Sequence, residues 1–424
     1  MGDVMVKRVM MIAYHYPPAR ISSGIQRTLK FSDYLRDHGW TPSVLSVHPR
    51  AYARVSDDQC GEIPPDIVVR RACALDSGRH LAIGGRYPLV LALPDRWASW
   101  VLGGVWAGLD MIRKWRPTIL WSTYPIATAH LIGLVLNRLT GIPWVADCRD
   151  SMTEPGYPTP PARRKVYQWL ERNTVARAAR VVFTAPSTWR MYADRYSALP
   201  ASKWAVVTNG YDEDNFSSAE RGPPGALTEA AITLVHSGSL YPSERDPRPF
   251  FAALAELKRQ GRLSERTLKV RLRATGHDEI FRPLIEAANI ADLVSLEPSV
   301  GYREALSEML RADGLLLFQA SNSNHQVPAK LFEYLRARKP ILALADRAGD
   351  TARIMLQAGV DSIVDLEDPA GIERELQRFI DLIGQGAAPV ASDESVACYS
   401  RREKAAELAA LLDEVVAEFG SAAR

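Results

Sequence analysis

The stretch SSAERGPPGALTEAAITLVHSG (217–238) divides the chain. Residues 217–231 are polar and rich in Gly and Pro, the composition of a linker. AITLVHSG (231–238) is then a short apolar run that stops at a glycine, and it restarts a pattern already completed once upstream. Before the linker, strand-like runs recur at 8–13, 42–48, 66–71, 118–122, 143–147, 180–185 and 204–208. After it they recur at 231–238, 268–276, 292–298, 314–320, 340–346 and 362–366. Helical patterns separate them throughout. Several runs, such as GLLLF (314–318), are continuously apolar, as expected of parallel strands covered on both faces. Strand–helix alternation that runs twice predicts two doubly wound α/β domains. The expected boundaries are 1–218 and 219–398, with the amphipathic segment 399–424 forming a C-terminal helix that either caps the second domain or, the reading adopted, crosses back to the first.

Composition agrees with this reading. The 424 residues are 47% hydrophobic and 24% charged, enough for two real cores. A net charge of +3 lacks the concentrated basic surface of a nucleic-acid binder. Cys60, Cys73, Cys148 and Cys398 are widely spaced and form no CxxC pair, which predicts a reducing cytoplasm and neither disulfides nor a zinc site. MGDVMVKRVMMIAYHYPP (1–18) reads as a first strand and not as a secretory signal, and no apolar run reaches membrane-spanning length.

In doubly wound sheets ligands bind beyond the carboxyl ends of the strands, so the turns there hold the candidate residues. The first, YHYPPARISSGIQRTLKFSDYL (14–35), opens a helix near Gly24 with Ser22 or Ser23 as its cap, presenting amide groups to an anion. It lacks the GxGxxG fingerprint of a nicotinamide enzyme. In WVADCRDSM (144–152), Asp147, Arg149 and Asp150 end a buried strand, either as a site or as an internal ion pair. Gly238 and Ser239 follow the first strand of the second domain and let a phosphate approach the backbone. Arg245 lies a few residues on, Gly276 holds the same place after the next strand, and EPSVGYRE (297–304) offers a surface for a flat base. In NHQVPAKLFEYLRARKPILAL (324–344), Pro328 is placed to start a helix. Leu331, Tyr334 and Leu335 form its core stripe, and Lys330 and Glu333 lie on another face. A cation at a helix N-terminus is misplaced unless an anion joins it. A Lys330–Glu333 surface pair is the competing reading.

The order and spacing of these pieces resemble the retaining, nucleotide-sugar-dependent GT-B glycosyltransferases of family 4. The likeness is strongest to bacterial members that build O-antigen, capsule or exopolysaccharide. The motifs that carry it are YHYPP…SSGIQRTLKFSDYLRDHGW, PWVADCRD, VVTNGYDEDNF (206–216), HSGSLYPSERDP and VPAKLFEYLRARKPILAL. The resemblance implies two Rossmann-like domains facing across a cleft, with no metal and no cofactor beyond the nucleotide-diphosphate sugar. It assigns Gly238 and Ser239 to the donor diphosphate, Arg245 and Lys330 to neutralising the departing diphosphate, and Glu333 to the ribose. The family's sugar-binding glutamate should stand eight residues before Glu333, where this chain has His325. Asp150 becomes the candidate for orienting or deprotonating an acceptor, with Ser23, Gly24 and Arg149 lining that side. The acceptor implied is a glycan or polyprenyl-linked sugar. A nucleotide-sugar epimerase and a catalytically silent subunit are the rivals.

Two features are set apart. Asp212-Glu213-Asp214 imitates a metal-binding motif of another fold and is discounted, and His15, His130 and His236 are too scattered to form a ligand set, with His130 read as structural. LPDRWASWVLGGVWAGLDMIRKWRPTILW (93–121) carries five tryptophans among basic residues, which suits either a buried helix or one lying at the inner face of the plasma membrane.

Overall fold

The computed structural model describes residues 6–20, 24–222, 225–227 and 231–422. Ser23, expected from the sequence to line the first turn, therefore lies outside the described residues, as does Ser22.

The described residues form two compact units, Met1–Thr208 with Arg401–Arg424, and Asn209–Ser400. The first holds β1 (Lys7–Ile12), β2 (Trp40–Val47), β3 (Val68–Ala72), β4 (Ile119–Thr123), β5 (Trp144–Cys148), β6 (Arg180–Phe183) and β7 (Trp204–Val206) in the order β3-β2-β1-β4-β5-β6-β7. The second holds β8 (Ile232–Ser237), β9 (Leu268–Arg273), β10 (Val294–Glu297), β11 (Gly314–Phe318), β12 (Ile341–Leu344) and β13 (Ile363–Val364) in the order β10-β9-β8-β11-β12-β13. Every pairing is parallel, for example Val9 against Ile119 and Leu315 against Ile341. The buried apolar runs are the central strands: β4, β5, β6 and β11 have no exposed position. The chain reverses its winding between β1 and β4 in one unit and between β8 and β11 in the other. Those are the switch points where open α/β sheets take ligands.

Two boundaries differ in detail from the sequence expectation. Composition places the break at 218/219, yet the helix Glu213–Glu220 sits in the second unit. Phe216 is fully buried there, Arg336 pairs with Glu213 and Glu220, and its guanidinium lies 5.0 Å over the Phe216 ring. Packing, not the Gly/Pro run, decides where the unit begins. The C-terminal helix Arg401–Ala422 packs on the first unit against the helix Gly24–Tyr34. Leu408, Ala409, Leu412 and Val415 enter that unit's core, and Lys7 pairs with Asp413 at 2.7 Å. The four buried apolar groups hold the helix in place, since an exposed ion pair contributes at most about 1 kcal/mol.

Candidate active site

In the second unit the turn after β8 is built for a close approach. Gly238 has φ +118°, a region L side chains avoid, and its amide donates to the Arg273 carbonyl at 2.9 Å. A Cβ at Gly238 would lie 2.8 Å from Lys330 Nζ. The neighbouring turn after β9 meets it: Leu240 N donates to the Thr275 carbonyl at 3.0 Å, and a Cβ at Gly276 would lie 3.8 Å from Ser239 Oγ. Arg245 folds back over this loop, its Nη1 3.4 Å from the Ser239 carbonyl and its guanidinium 5.5 Å from the Tyr241 ring.

Lys330 is the first residue of the helix Lys330–Ala337, so Pro328 precedes the helix instead of opening it. Tyr334 of that helix is fully buried and its hydroxyl accepts the Ser237 amide at 3.0 Å, which ties the helix start to the β8 turn. Burial, and then the nearby Arg245 charge, pushes the Lys330 amine well below its usual range, with Glu333 opposing. A cation made this unfavourable by burial and a like charge marks a place suited to negative charge. Glu333 is buried and receives the Tyr302 hydroxyl at 2.7 Å. His325 lies in the loop before this helix, 3.5 Å from the Gln326 amide. Beside it Asn324 donates to Asp346 at 2.6 Å.

One residue absent from the sequence-based set belongs here. His236 of β8 is fully buried, with Nε2 3.1 Å from Lys330 Nζ. The only signal for it in the sequence is its place two residues before Gly238.

In the first unit Asp147 proves structural. It is fully buried in β5 and accepts from Arg27 Nε at 2.9 Å, Arg27 Nη2 at 2.6 Å and the Thr123 hydroxyl at 2.8 Å. The internal ion pair anticipated for this segment exists, but its cation is Arg27 and not Arg149. Arg149 turns instead toward the start of the helix Gly24–Tyr34. A Cβ at Gly24 would lie 2.8 Å from Arg149 Nη1 and 2.9 Å from His15 Nδ1. Burial, and then Arg149, lowers His15 to about 3, while burial lowers Arg149 and Asp150 counteracts it. Gly24, Arg149 and Asp150 thus share one corner with His15.

The remaining candidates resolve into structure. Asp212 caps the helix Glu213–Glu220 through the Asn215 amide at 3.1 Å, and Glu213 pairs with Arg336. His130 is fully buried, bonded to Ser122 Oγ at 2.7 Å. Among the described residues no group of three or more His, Cys, Asp or Glu is placed to hold a metal ion.

The profile described as "Glycosyl transferase 4-like domain" matches residues 23–210. That match lies almost wholly within the first unit and covers less than half of the chain. A search of curated proteins finds no match to the sequence. Solved structures align over nearly the whole chain. Sucrose-phosphate synthase from Thermosynechococcus elongatus has a TM-score of 0.63 at 12% identity, covering 99% of this chain and 98% of its own. Alr3699/HepE of Anabaena, in complex with UDP and glucose, scores 0.61 at 10% identity, covering 98% and 99%. UDP-GlcNAc 2-epimerase from Neisseria meningitidis, bound to UDP-GlcNAc, scores 0.59 at 11% identity, covering 96% and 100%. Identities this low establish the fold, which is GT-B: two parallel-sheet α/β units, the second carrying the Gly238–Arg245–Lys330 cluster.

Proposed function

We propose that this protein is a retaining glycosyltransferase that moves a sugar from a nucleoside-diphosphate sugar to a glycan or polyprenyl-linked acceptor in surface-polysaccharide synthesis. The observation that carries this reading is the meeting of the Gly238 turn, Arg245 and Lys330, a concentration of positive charge with backbone open to a phosphate. Transfer breaks the bond between the anomeric carbon and the diphosphate, leaving negative charge on the diphosphate and oxocarbenium character on the sugar. Arg245 and Lys330 stabilise the departing charge in place, without a metal ion, and such fixed electrostatic groups supply the largest share of catalysis in many enzymes. The acceptor hydroxyl attacks the same face the leaving group departs from, and its proton passes to the departing phosphate oxygen. Gly238 and Ser239 cradle the diphosphate with Gly276 beside them. Glu333, steadied by Tyr302, takes the ribose hydroxyls, and His325 contributes to the sugar pocket where the family places a glutamate. Asp150 orients the acceptor, with Gly24 and Arg149 around it.

The UDP and glucose held by one neighbouring structure and the UDP-GlcNAc held by another support this choice of donor class. The epimerase among them keeps interconversion as the second reading, and His325 keeps a silent subunit as the third. Incubation with UDP-, GDP-, ADP- and TDP-sugars separates them. Acceptor-dependent release of nucleoside diphosphate is the expected result. Sugar interconversion, or saturable binding without turnover, overturns it.

We place the enzyme in the cytoplasm at the membrane surface. No helix among the described residues is long and apolar enough to cross a membrane. Of the five tryptophans in 93–121, Trp100 and Trp121 are core and only Trp106 is prominently exposed, at 68%. It shares a stripe with exposed Leu102 and Leu109 on the helix Trp100–Trp115, next to Arg113 and Lys114. This stripe suits the interface of an anionic bilayer. Flotation with phosphatidylglycerol vesicles should carry the protein upward, and the Leu102→Ser/Trp106→Ser variant should stay behind.

A further inference from the structure

We propose that His236 is a positioning residue for Lys330, an assignment that rests on the diphosphate-site reading above. The geometry defines its hydrogen bonding. His236 Nδ1 lies 2.9 Å from the Leu316 carbonyl, which can only accept, so Nδ1 carries the ring proton. Nε2 then holds a lone pair. Its two polar neighbours are Lys330 Nζ and the Gly238 carbonyl, each at 3.1 Å. Only the lysine can donate, so neutral His236 holds Lys330 by an N–H···N bond. A protonated ring would do the reverse, donating to Gly238 and repelling Lys330.

The surroundings favour the neutral ring. His236 is fully buried, and burial together with Lys330 drives its imidazole well below its usual range. The ring stands edge-on to Phe318 at 5.1 Å, which holds its plane. The result is a rigid acceptor beneath a flexible amine. Lys330 has four rotatable side-chain bonds, and fixing a free lysine costs rotamer entropy. His236 meets that cost before the ligand arrives, and the missing Cβ of Gly238 leaves the space Nζ occupies. The two remaining Lys330 protons are available to phosphate oxygens.

Titration calorimetry with UDP, GDP, ADP and TDP, and with the matching nucleosides, tests this. If wild-type protein binds no diphosphate more tightly than its nucleoside, the site reading fails and the His236 assignment falls with it. If it does, His236→Phe should weaken diphosphate binding at least about tenfold, the scale of one lost charged hydrogen bond. Nucleoside binding should not change. His236→Gln, which returns an acceptor near Nε2, should restore most of the loss. In a Lys330→Ala background the His236→Phe effect should vanish, because the residue acts only through the lysine. Unaltered diphosphate binding in His236→Phe, or a loss that persists undiminished without Lys330, overturns the assignment. Should His236→Phe fail to fold, long-range 15N spectra of the wild-type ring decide. A protonated Nδ1 with bare Nε2 supports the assignment, and a protonated Nε2 refutes it.

Discussion

Removing the Asp147 carboxylate tests the account of the first unit most severely. Asp147 and Arg27 are both buried, with 0% and 1% of their side-chain surface exposed. Asp147→Ala leaves the guanidinium in the interior with the carbonyls of Val207 and Thr208, each at 2.9 Å, and the Phe31 ring at 4.8 Å, but no counter-charge. It also takes one acceptor from the Thr123 hydroxyl, which keeps the Tyr124 carbonyl at 3.1 Å. Breaking a buried pair from one side costs about 3–5 kcal/mol, because the surviving charge stays desolvated. For a unit of this size each kcal/mol lowers the melting temperature by about 2–4 °C, so the expected drop is on the order of 10 °C. Asp147→Asn offers no escape, since its amide would set a donor against Arg27 Nε. Replacing both partners, as in Arg27→Met/Asp147→Leu, should cost less than the sum of the single changes. Calorimetry reads the transition, and hydrogen exchange in β5 and the helix Gly24–Tyr34 assigns it to this unit. A drop below about 1 kcal/mol for Asp147→Ala refutes the claim that this pair organises the unit.

Three further outcomes follow. Gly238→Ala forces a side chain into φ +118° and a Cβ to within 2.8 Å of Lys330 Nζ. It should lower stability by about 1–3 kcal/mol and nucleoside-diphosphate affinity by tenfold or more in calorimetry, and wild-type affinity would contradict the placement of the diphosphate. Asp150→Asn should cut transfer at least tenfold with an unchanged melting curve, and full turnover removes Asp150 from acceptor orientation. His130 is held near 4 by burial against an unfolded value of about 6.5, so folding expels its proton. Its contribution is intact above pH 6.5 and is lost as pH falls toward 4, by up to about 3 kcal/mol, and His130→Gln should flatten urea midpoints measured across that window.

The strands of this protein were legible because burial on both faces writes itself into consecutive letters. GLLLF and RVVF need no knowledge of what covers them. Exposure on a helix is different, since it depends on which neighbours arrive. The five tryptophans of 93–121 look alike in the sequence, yet Trp100 and Trp121 are core while Trp106 stands out. The unit boundary was hidden for the same reason. The helix Glu213–Glu220 reads as the end of one pattern, but its partners are Arg336 and the helix Tyr302–Arg311, both far downstream.

The site divides along the same physical line. Lys330 could be picked out because its oddity is local: a cation at the first residue of a helix is unfavourable on its own terms. Gly238 could be picked out because a glycine directly after a buried strand needs a conformational reason, and φ +118° provides it. Asp147 carried a local signal too, a charge at the end of an apolar strand, but that signal names no partner, and the partner turned out to be Arg27. His236 carried only a faint signal, its place two residues before Gly238. A histidine inside a strand is ordinary until the fold brings Lys330 to it across 94 positions of sequence. Residues whose function is a strain against their own backbone or helix are therefore readable in advance. Those that act by holding another residue become visible only when the chain closes.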